Sequence, residues 1–388
     1  MKLQEVNTPQ LARKFLEVPI SIYKDDPNWV RPLDKDIERV FDKEKNKFWR
    51  HGKAIRWILV NDAGKAIGRV AAFINNRPAN DPKNGQPTGG MGFFECNDEQ
   101  AAADMLFEAC KTWLEKEGME AMDGPINFGE RDAWWGLLVE GFKPPTYQMN
   151  YHPPYYHKLF ESFGFQMYYK QFVLYRHLQD PVQEKFQAKY KMVMSNPGYR
   201  FEHIKKKEIK KFADDFMRIY NEAWGRHSGF KEMRKEQAQS IMKKMKPIIK
   251  EELMWFGYHN DRPVCFFIMI PDMNEVFGRF KGRLGLIEKA RTWWILKFGK
   301  ISRCYGVLFG VVPDYQGKGL DGAIIKAAGL VLHPQGKWGH MEMNWIGDFN
   351  PKMLNVARDV GGEIYKTYYT MRYLFDREKE YHRLPLMD

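Results

Sequence analysis

A glycine-rich loop between two apolar runs is the part of this sequence whose spacing could do chemistry. Residues 306–312 read GVLFGVV, residues 316–322 read QGKGLDG, and residues 323–328 read AIIKAA. This order predicts a strand, a loop and a helix in immediate succession. Glycines let the backbone approach an anion, and the first N–H groups of a helix have no intrahelical acceptor. The stretch therefore predicts a phosphate cradle.

Two familiar phosphate-loop patterns fit it poorly. The pattern GxxxxGK[ST] fails because Leu320 follows Gly319 where a lysine is required. The pattern GxGxxG is met by Gly317, Gly319 and Gly322. However, this loop comes late in the chain, and no βαβ unit with a ribose-binding acid follows it.

A third pattern fits best. Residues 311–319, VVPDYQGKG, resemble motif A of the GNAT superfamily of N-acyltransferases. The pattern of that family, [Gln/Arg]-x-x-Gly-x-[Gly/Ala] after a strand, binds the pyrophosphate of acyl-CoA. Gln316 and Gly319 match it. An ordinary glycine-rich turn between a strand and a helix is the alternative interpretation.

The loop departs from the pattern at its last position. Asp321 stands there instead of Gly or Ala, and Gly322 follows one place later. A carboxylate at a helix start favours the helix dipole but repels an anionic ligand unless it turns outward or caps the helix.

The resemblance implies an acyl-CoA co-substrate, no metal, and transfer of the acyl group to an amine on a small molecule or peptide. The residues that would hold the co-substrate are Val311, Val312, Gln316, Gly317, Lys318, Gly319, Leu320, Asp321, Gly322 and, where the last helix begins, Asn350. Two of them have a simpler explanation, since Lys318 could be a solvated loop lysine and Asn350 a helix cap.

The catalytic residues are less clear from the sequence. Many GNAT enzymes carry a general-acid tyrosine four residues before the glycine that ends the last helix, and Ala357 stands at that place here. Glu342 and Tyr315 are the substitute candidates. Glu342 could act as a base through water. The structural alternatives are a surface or capping role for the Glu342 carboxylate and simple packing for the Tyr315 ring.

Asn221 and Trp224 are the candidate substrate-binding residues. Both come at the end of the helix that we predict for residues 208–224, where GNAT substrate clefts are often lined. A core tryptophan beside a helix end explains them equally well. The aromatic segments 124–128 and 147–156 would then form the other wall of the cleft, or only pack an interface.

Composition sets the class of protein. The chain has 388 residues, of which 44% are apolar and 28% charged, as expected for a soluble globular protein with two domains. It contains no run of ~18 apolar residues, so we expect no membrane span. Its N-terminus has no apolar signal region, which favours a cytoplasmic location. The four cysteines have no C-x-x-C spacing, so neither a zinc site nor a disulfide framework is indicated.

The two halves of the sequence repeat one plan. A predicted helix ends at a glycine over 154–164 and again over 351–361, at the same offset (351 − 154 = 197 and 361 − 164 = 197). Shared helix-stop signals are the alternative explanation. We predict a mixed α+β fold of two GNAT-like domains, each a mostly antiparallel sheet flanked by helices. Their ranges would be 1–176 and 201–388, with a connection at 177–200.

Only the second predicted domain should bind the co-substrate. At the corresponding place the first half reads ECNDE over 95–99, with no glycine loop. Acidic side chains at a helix start repel an anion. The tandem arrangement is similar to bacterial GNAT-like proteins and, more distantly, to Fem-type transferases. A Fem-like transferase that uses aminoacyl-tRNA, or a non-catalytic binding protein on a GNAT scaffold, remains the alternative to an acyltransferase.

Basic charge gives the remaining signals. The net charge of +12 is spread along the chain, which argues against a nucleic-acid partner. Residues 276–303 mix basic and bulky apolar side chains. They could form an amphipathic helix that contacts acidic lipid or an acyl chain. A helix that packs its apolar face on its own domain is the commoner outcome.

Overall fold

A computed structural model describes residues 1–80, 85–225 and 231–386, except for the side chains of Arg77 and Pro78. In the first half, the described elements follow in this order: β1 (Lys2–Glu5), α1 (Pro9–Ile22), α2 (Asp34–Phe41), β2 (Gly52–Val60), β3 (Ala66–Asn75), α3 (Asn76–Ala79), β4 (Thr88–Cys96), α4 (Gln100–Lys116), β5 (Ala121–Gly124), β6 (Leu137–Glu140), α5 (Tyr156–Phe163) and β7 (Gln166–His177).

The second half repeats much of this order. Its described elements are α6 (Glu184–Met194), β8 (Tyr199–His203), α7 (Ile209–Trp224), α8 (Lys235–Met245), β9 (Met254–His259), β10 (Arg262–Pro271), α9 (Asn274–Phe277), α10 (Leu286–Phe298), β11 (Arg303–Val311), α11 (Leu320–Gln335), β12 (His340–Gly347), α12 (Pro351–Asp359) and β13 (Glu363–Leu374). The segment predicted as a connection, 177–200, thus contains helix α6.

The described strands join in one mixed sheet. Its order is β1-β2-β3-β4-β5-β13-β7-β12-β11-β10-β9-β8, and β6 also pairs with β13. The pairs β4–β5 and β11–β12 are parallel, and the other described pairs are antiparallel. The predicted α+β class, with mostly antiparallel sheets flanked by helices, is confirmed.

The last strand of each half crosses into the other half. Strand β7 of the first half pairs with β12, and β13 of the second half pairs with β5. The two crossing strands also pair with each other, with Gln171 opposite Tyr368. These two residues are 197 positions apart (368 − 171 = 197), which is the offset seen in the sequence. A two-fold arrangement places equivalent residues opposite each other, so this pair marks a local pseudo-two-fold axis. We keep 1–176 and 201–388 as proposed bounds of the duplicated segments.

Helices cover both faces of the sheet, as the alternation along its strands requires. In β10, Cys265 and Phe267 face the core under α6 and α11, whereas Phe266 and Ile268 face the core under α7. Two further cores, under α4 and α5 and under α1 and α2, flank the first half. None of the helices in the described ranges has the length and apolar character needed to cross a membrane.

Candidate active site

A wedge-shaped gap opens between the parallel strands β11 and β12. They pair from Arg303 opposite His340 to Gly306 opposite Met343, and no further pair follows. Just past Gly306, the register of β11 against β10 shifts at Val307. The register of β12 against β7 shifts after Met343 as well. Bulges bend and twist a strand, so two of them at one level account for the divergence.

Beyond Gly306, one edge of β11 has no strand partner among the described residues. Val312 donates its N–H to the carbonyl of Val264, over 2.9 Å, towards β10. Because successive backbone groups alternate in direction, the N–H groups of Val311 and Phe309 point towards the gap. An extended ligand with amide groups could pair with this edge as an added strand does.

The glycine-rich loop ends at the mouth of this gap. Gly317 and Gly319 have φ values of 73° and 80°, a left-handed conformation that suits glycine. The N–H groups of residues 317–322 find no acceptor within the described part of the chain. A run of free N–H groups at the start of a helix is suited to binding an anion. The predicted strand, loop and helix are present in the predicted order, and the phosphate cradle stays a prediction.

Asp321, the departure from the family pattern, has a cation beside it. The Nζ atom of Lys189, on α6, lies 2.7 Å from Oδ2 of Asp321. A Cβ atom on Gly322 would lie 2.5 Å from Cδ of the same lysine, so α6 packs directly on the start of α11. The carboxylate is therefore compensated. Sequence reasoning missed Lys189 because it comes 132 positions before Asp321 in a polar connecting segment.

The loop and the gap border two adjoining spaces. A pocket of about 360 Å³ lies over the loop, between Gln316, Leu320 and Lys352. A deeper cavity of about 340 Å³ runs beneath the sheet between α11 and α12. The two spaces share the side chains of Trp224, Phe309, Asn350, Met353 and Val356.

The deep cavity is long and mostly apolar. Its lining includes Met269, Ile325, Ala328, Leu332, Met341 and Ala357. From Leu320 over the loop to His333 at the far end, the combined space follows α11 for roughly 20 Å at 1.5 Å per residue. Burial lowers the pKa of His333, and the nearby Arg176 lowers it further, so this imidazole is neutral at pH 7.

Several predicted co-substrate residues surround the pocket over the loop. Val311, Gln316, Gly317, Leu320, Asp321 and Asn350 line it. Gln316 Nε2 donates to the carbonyl of Val311 over 3.1 Å, and Asn350 Oδ1 accepts the N–H of Met353 over 3.1 Å as the cap of α12. Val312 lies elsewhere, buried in the core under α7. Lys318 Nζ stands 5.0 Å from the centre of the Tyr315 ring.

The two predicted substrate residues lie one turn apart on α7 but have different contacts. Trp224 lines both spaces, and its ring would lie 2.9 Å from a Cβ atom on Gly310. Glycine at 310 therefore lets the ring lie against β11. Asn221 is instead held by the backbone of Met233, with hydrogen bonds of 2.9 and 2.8 Å. That contact favours a bracing role for Asn221.

The two predicted catalytic residues also have different surroundings. Tyr315 lines the pocket over the loop, with its hydroxyl 3.1 Å from Nδ1 of His259. Glu342 is fully buried, with Lys366 Nζ at 2.7 Å, His340 Nε2 at 2.9 Å and Arg303 at 3.2 Å. Burial alone would raise the pKa of Glu342, but these cationic and hydrogen-bonding partners outweigh it and lower the pKa. This placement favours a structural ion-pair role over that of a base.

One carboxylate of the first half, Asp132, acts electrostatically on the strand that borders the gap. Desolvation, and then the charge of Glu130, raise the pKa of Asp132. Burial, followed by Asp272 and Asp132, raises the pKa of Tyr305, the residue before Gly306. Asp132 is an exposed residue and lines neither of the two spaces, so its charge acts on Tyr305 from outside them. The sequence signal, GERD at 129–132, comes just after the segment 124–128 that we considered as a cleft wall.

The predicted second segment, 147–156, begins on the same side of the sheet. The N–H of Tyr147 donates to Asp272 over 3.0 Å, and its hydroxyl donates to Asp36 over 2.6 Å. Next to it, Thr146 accepts a hydrogen bond of 2.9 Å from Asn344, a residue that lines the deep cavity. The first half thus contacts a residue that borders the gap.

The chain is similar to two bacterial proteins over more than nine-tenths of its length. No family model matches the chain. It is 26% identical over 368 residues to the bacterial ceramide synthase of Caulobacter vibrioides (strain NA1000 / CB15N), with 94% of each chain covered. It is also 26% identical over 364 residues to protein YghO of Escherichia coli (strain K12), which covers 92% of this chain and 91% of that protein.

A solved structure shares the architecture. The tandem GNAT protein from the clavulanic acid biosynthesis pathway superposes with a TM-score of 0.55, over 96% of this chain and 99% of that chain, at 11% identity. This superposition agrees with the two other signs of a tandem fold, which are the equally spaced helix ends and the single sheet that joins both halves. The chain has the tandem GNAT fold, as its loop and its repeat predicted.

Proposed function

We propose that this chain is an acyl-CoA-dependent N-acyltransferase that transfers a long acyl chain to the amine of a lipid-like acceptor. The observation that carries the proposal is that the pocket over the glycine-rich loop adjoins the deep apolar cavity, with five lining residues in common. The loop would hold a pyrophosphate, the open edge of β11 an amide-bearing linker, and the apolar cavity a hydrocarbon chain.

The first step is the binding of the donor. The N–H groups of residues 317–322 would hold the pyrophosphate, with Lys189 and Lys318 as nearby cations. The open edge of β11 would pair with the amides of the pantetheine arm. Val311, Gln316, Leu320 and Asn350 line the route between them. At the corresponding place in the described part of the first half, β4 leads through Asn97, Asp98 and Glu99 into α4 without a glycine-rich loop.

The size and lining of the deep cavity favour a long acyl chain. An acetyl group would leave most of about 340 Å³ unfilled. Each buried methylene group contributes about 0.8 kcal/mol to binding, so affinity should rise with chain length as long as the chain fits the cavity. Ala357 lines the cavity where a tyrosine stands in many GNAT enzymes, and its small side chain leaves room between α11 and α12.

The transfer itself requires a neutral amine and a polarised carbonyl. Backbone N–H groups on the open edge of β11 would polarise the thioester carbonyl. Asp132 would take the proton from the acceptor's ammonium group, since a raised pKa makes the Asp132 carboxylate a stronger base. The amine nitrogen then bonds to the carbonyl carbon, the C–S bond breaks, and the CoA thiolate takes up the proton that the amine releases.

The relatives support the class of acceptor. The Caulobacter vibrioides protein is named a bacterial ceramide synthase, and a ceramide is an N-acylated long-chain base. That likeness spans 94% of both chains. A long-chain amine is also compatible with an acceptor route that ends beside the aromatic ring of Trp224.

Isothermal titration with CoA, acetyl-CoA and palmitoyl-CoA tests the donor. We expect palmitoyl-CoA to bind most tightly and Gln316→Glu to weaken all three, because a new carboxylate would face the pyrophosphate. Gln335→Glu adds the same charge at the other end of α11 and should leave binding unchanged. Equal loss in both variants, or no binding of any CoA compound by the unmodified chain, would refute the proposal.

A second assay tests the reaction. Purified protein with palmitoyl-CoA and a panel of amines should release free CoA thiol fastest with a long-chain base. A salt-dependent retention of tRNA on filters, without CoA binding, would instead favour the Fem-like alternative.

A further inference from the structure

Helix α10 exposes its bulky apolar side chains to solvent. Trp293 and Trp294 are 59% and 58% exposed, and Leu286 is 84% exposed. Ile287 and Phe298 are exposed as well, whereas Ile295 is buried. The helix thus packs on its own domain through a narrow stripe, in which Ile295 is buried and Glu288, Thr292 and Leu296 are half-buried. This differs from the commoner outcome expected from the sequence, in which such a helix packs its apolar face inward.

The same segment is strongly basic. Residues 279–300 contain one acidic side chain, Glu288, which accepts the N–H of Gly285 as part of the helix cap. Seven exposed cations surround it: Arg279, Lys281, Arg283, Lys289, Arg291, Lys297 and Lys300. The net charge of the segment is therefore +6 (seven cations and one carboxylate). Within the ranges that the structure describes, none of the seven takes part in an ion pair.

Charge decides which partner fits this surface. A second copy of the chain in a two-fold interface would bring the same cations face to face. An anionic lipid surface would neutralise them, while the apolar rings enter the boundary between head groups and acyl chains. Lys297 already lies 5.0 Å from the ring centres of both Trp293 and Phe298, the mixed arrangement that suits an interface.

We propose that α10 and its basic flanks, residues 279–300, form a docking surface for an anionic lipid bilayer. The helix has 13 residues, too few to span a bilayer, and would lie in the interface. It belongs to the half that carries the cavity. Ile295 packs in the same core as Met269 and Leu332, which line the cavity, and the chain leads from α10 directly into β11.

This inference does not rest on the proposed acyl transfer. It concerns binding to lipid vesicles and can be measured with the purified chain in the absence of any CoA compound. Failure of the donor titration would leave the docking surface intact. Failure of vesicle binding would equally leave donor binding intact.

Co-sedimentation with vesicles tests the charge component. The unmodified chain should sediment with vesicles of phosphatidylglycerol and phosphatidylcholine, stay in solution with phosphatidylcholine alone, and be released by raising the salt concentration. Lys289→Glu with Arg291→Glu should weaken binding at least about tenfold. Lys243→Glu with Lys244→Glu makes the same charge change on α8 and should have a much smaller effect. An equal effect of both double variants would overturn the proposal.

A second pair of variants tests the apolar component. Trp293→Ala with Trp294→Ala should lower vesicle binding about tenfold or more, and brominated lipids should quench the fluorescence of the unmodified chain but not that of this variant. Ile20→Ala, an exposed apolar residue on α1, is the control. Far-UV circular dichroism checks that each variant is folded. No sedimentation with anionic vesicles, or a lipid-free dimer that the tryptophan variant dissociates, would show that α10 does not dock on lipid.

Discussion

The Nζ atom of Lys189 lies 2.7 Å from Oδ2 of Asp321, so a helix of the connecting segment reaches the loop that begins α11. The contact joins the departure from the family pattern to a compensating cation. Asp321 is not simply a repulsive group at an anion site. The pair makes the connecting segment part of the proposed donor site.

Removal of Lys189 should therefore weaken donor binding. In Lys189→Met the Asp321 carboxylate would face the pyrophosphate without a partner, which we expect to cost about 1 kcal/mol, roughly fivefold in affinity. Titration with CoA measures the change. Lys189→Met combined with Asp321→Asn should recover most of the loss, as a double-mutant cycle requires for a direct pair. Additive losses in the double variant would count against the pair.

A larger side chain in the deep cavity should change the preferred chain length. Ala328 is 2% exposed and lines the cavity, so Ala328→Phe would occupy space that a long acyl chain needs. We expect palmitoyl-CoA to lose at least about tenfold in affinity while acetyl-CoA keeps its own, with an overpacking cost of about 1–3 kcal/mol in stability. Ala101→Phe, on the exposed side of α4, is the control. A uniform loss for both donors would argue against an acyl cavity.

Asp132 should control the pH dependence of the reaction. Its pKa is raised by desolvation and by Glu130, so activity should fall with acid below a pKa higher than that of an ordinary aspartate. Asp132→Asn should lower kcat by about 10²–10⁴. Glu130→Gln removes one cause of the raised pKa of Asp132. It should therefore move the acidic limb of the pH profile of kcat/KM to lower pH. An unchanged acidic limb in Glu130→Gln would exclude Asp132 as the base.

The buried pair of Glu342 and Lys366 should matter for stability. Glu342→Gln leaves the Lys366 ammonium buried without its carboxylate, which we expect to cost about 3–5 kcal/mol in the free energy of unfolding. Lys185→Met, which breaks the exposed pair with Asp359, should cost at most about 1 kcal/mol. Urea denaturation measures both. Similar small losses in the two variants would contradict a buried network.

The same pair predicts a dependence of stability on pH. Because its partners lower the pKa of Glu342, the carboxylate stabilises the fold above the unfolded pKa of about 4.3 and loses that effect as the pH falls through the folded value. The urea midpoint of the unmodified chain should thus drop more steeply in acid than that of Glu342→Gln. Parallel curves would mean that Glu342 makes no titrating contribution.

The local features of the candidate site could be predicted from the sequence. The glycines at 317 and 319, the apolar run before them and the Ala-rich run after them are near neighbours, and their backbone preferences act over a few residues. The two glycines that follow α5 and α12, Gly164 and Gly361, are also local signals, with φ values of 110° and 86°. Their equal offset predicted the duplication that the strand pair of Gln171 and Tyr368 displays.

Contacts between residues far apart in the chain could not be predicted in this way, because they depend on the packing of whole elements. The gap beside Gly306 depends on two strand bulges, and the exchange of β7 and β13 depends on which sheet edge each strand reaches. Lys189 and Asp132 belong to segments that lie far from the glycine-rich loop in the sequence. The exposure of Trp293 likewise depends on what the rest of the fold covers. Such contacts are set by packing between elements far apart in the chain, and a local pattern does not encode which partner an element finds.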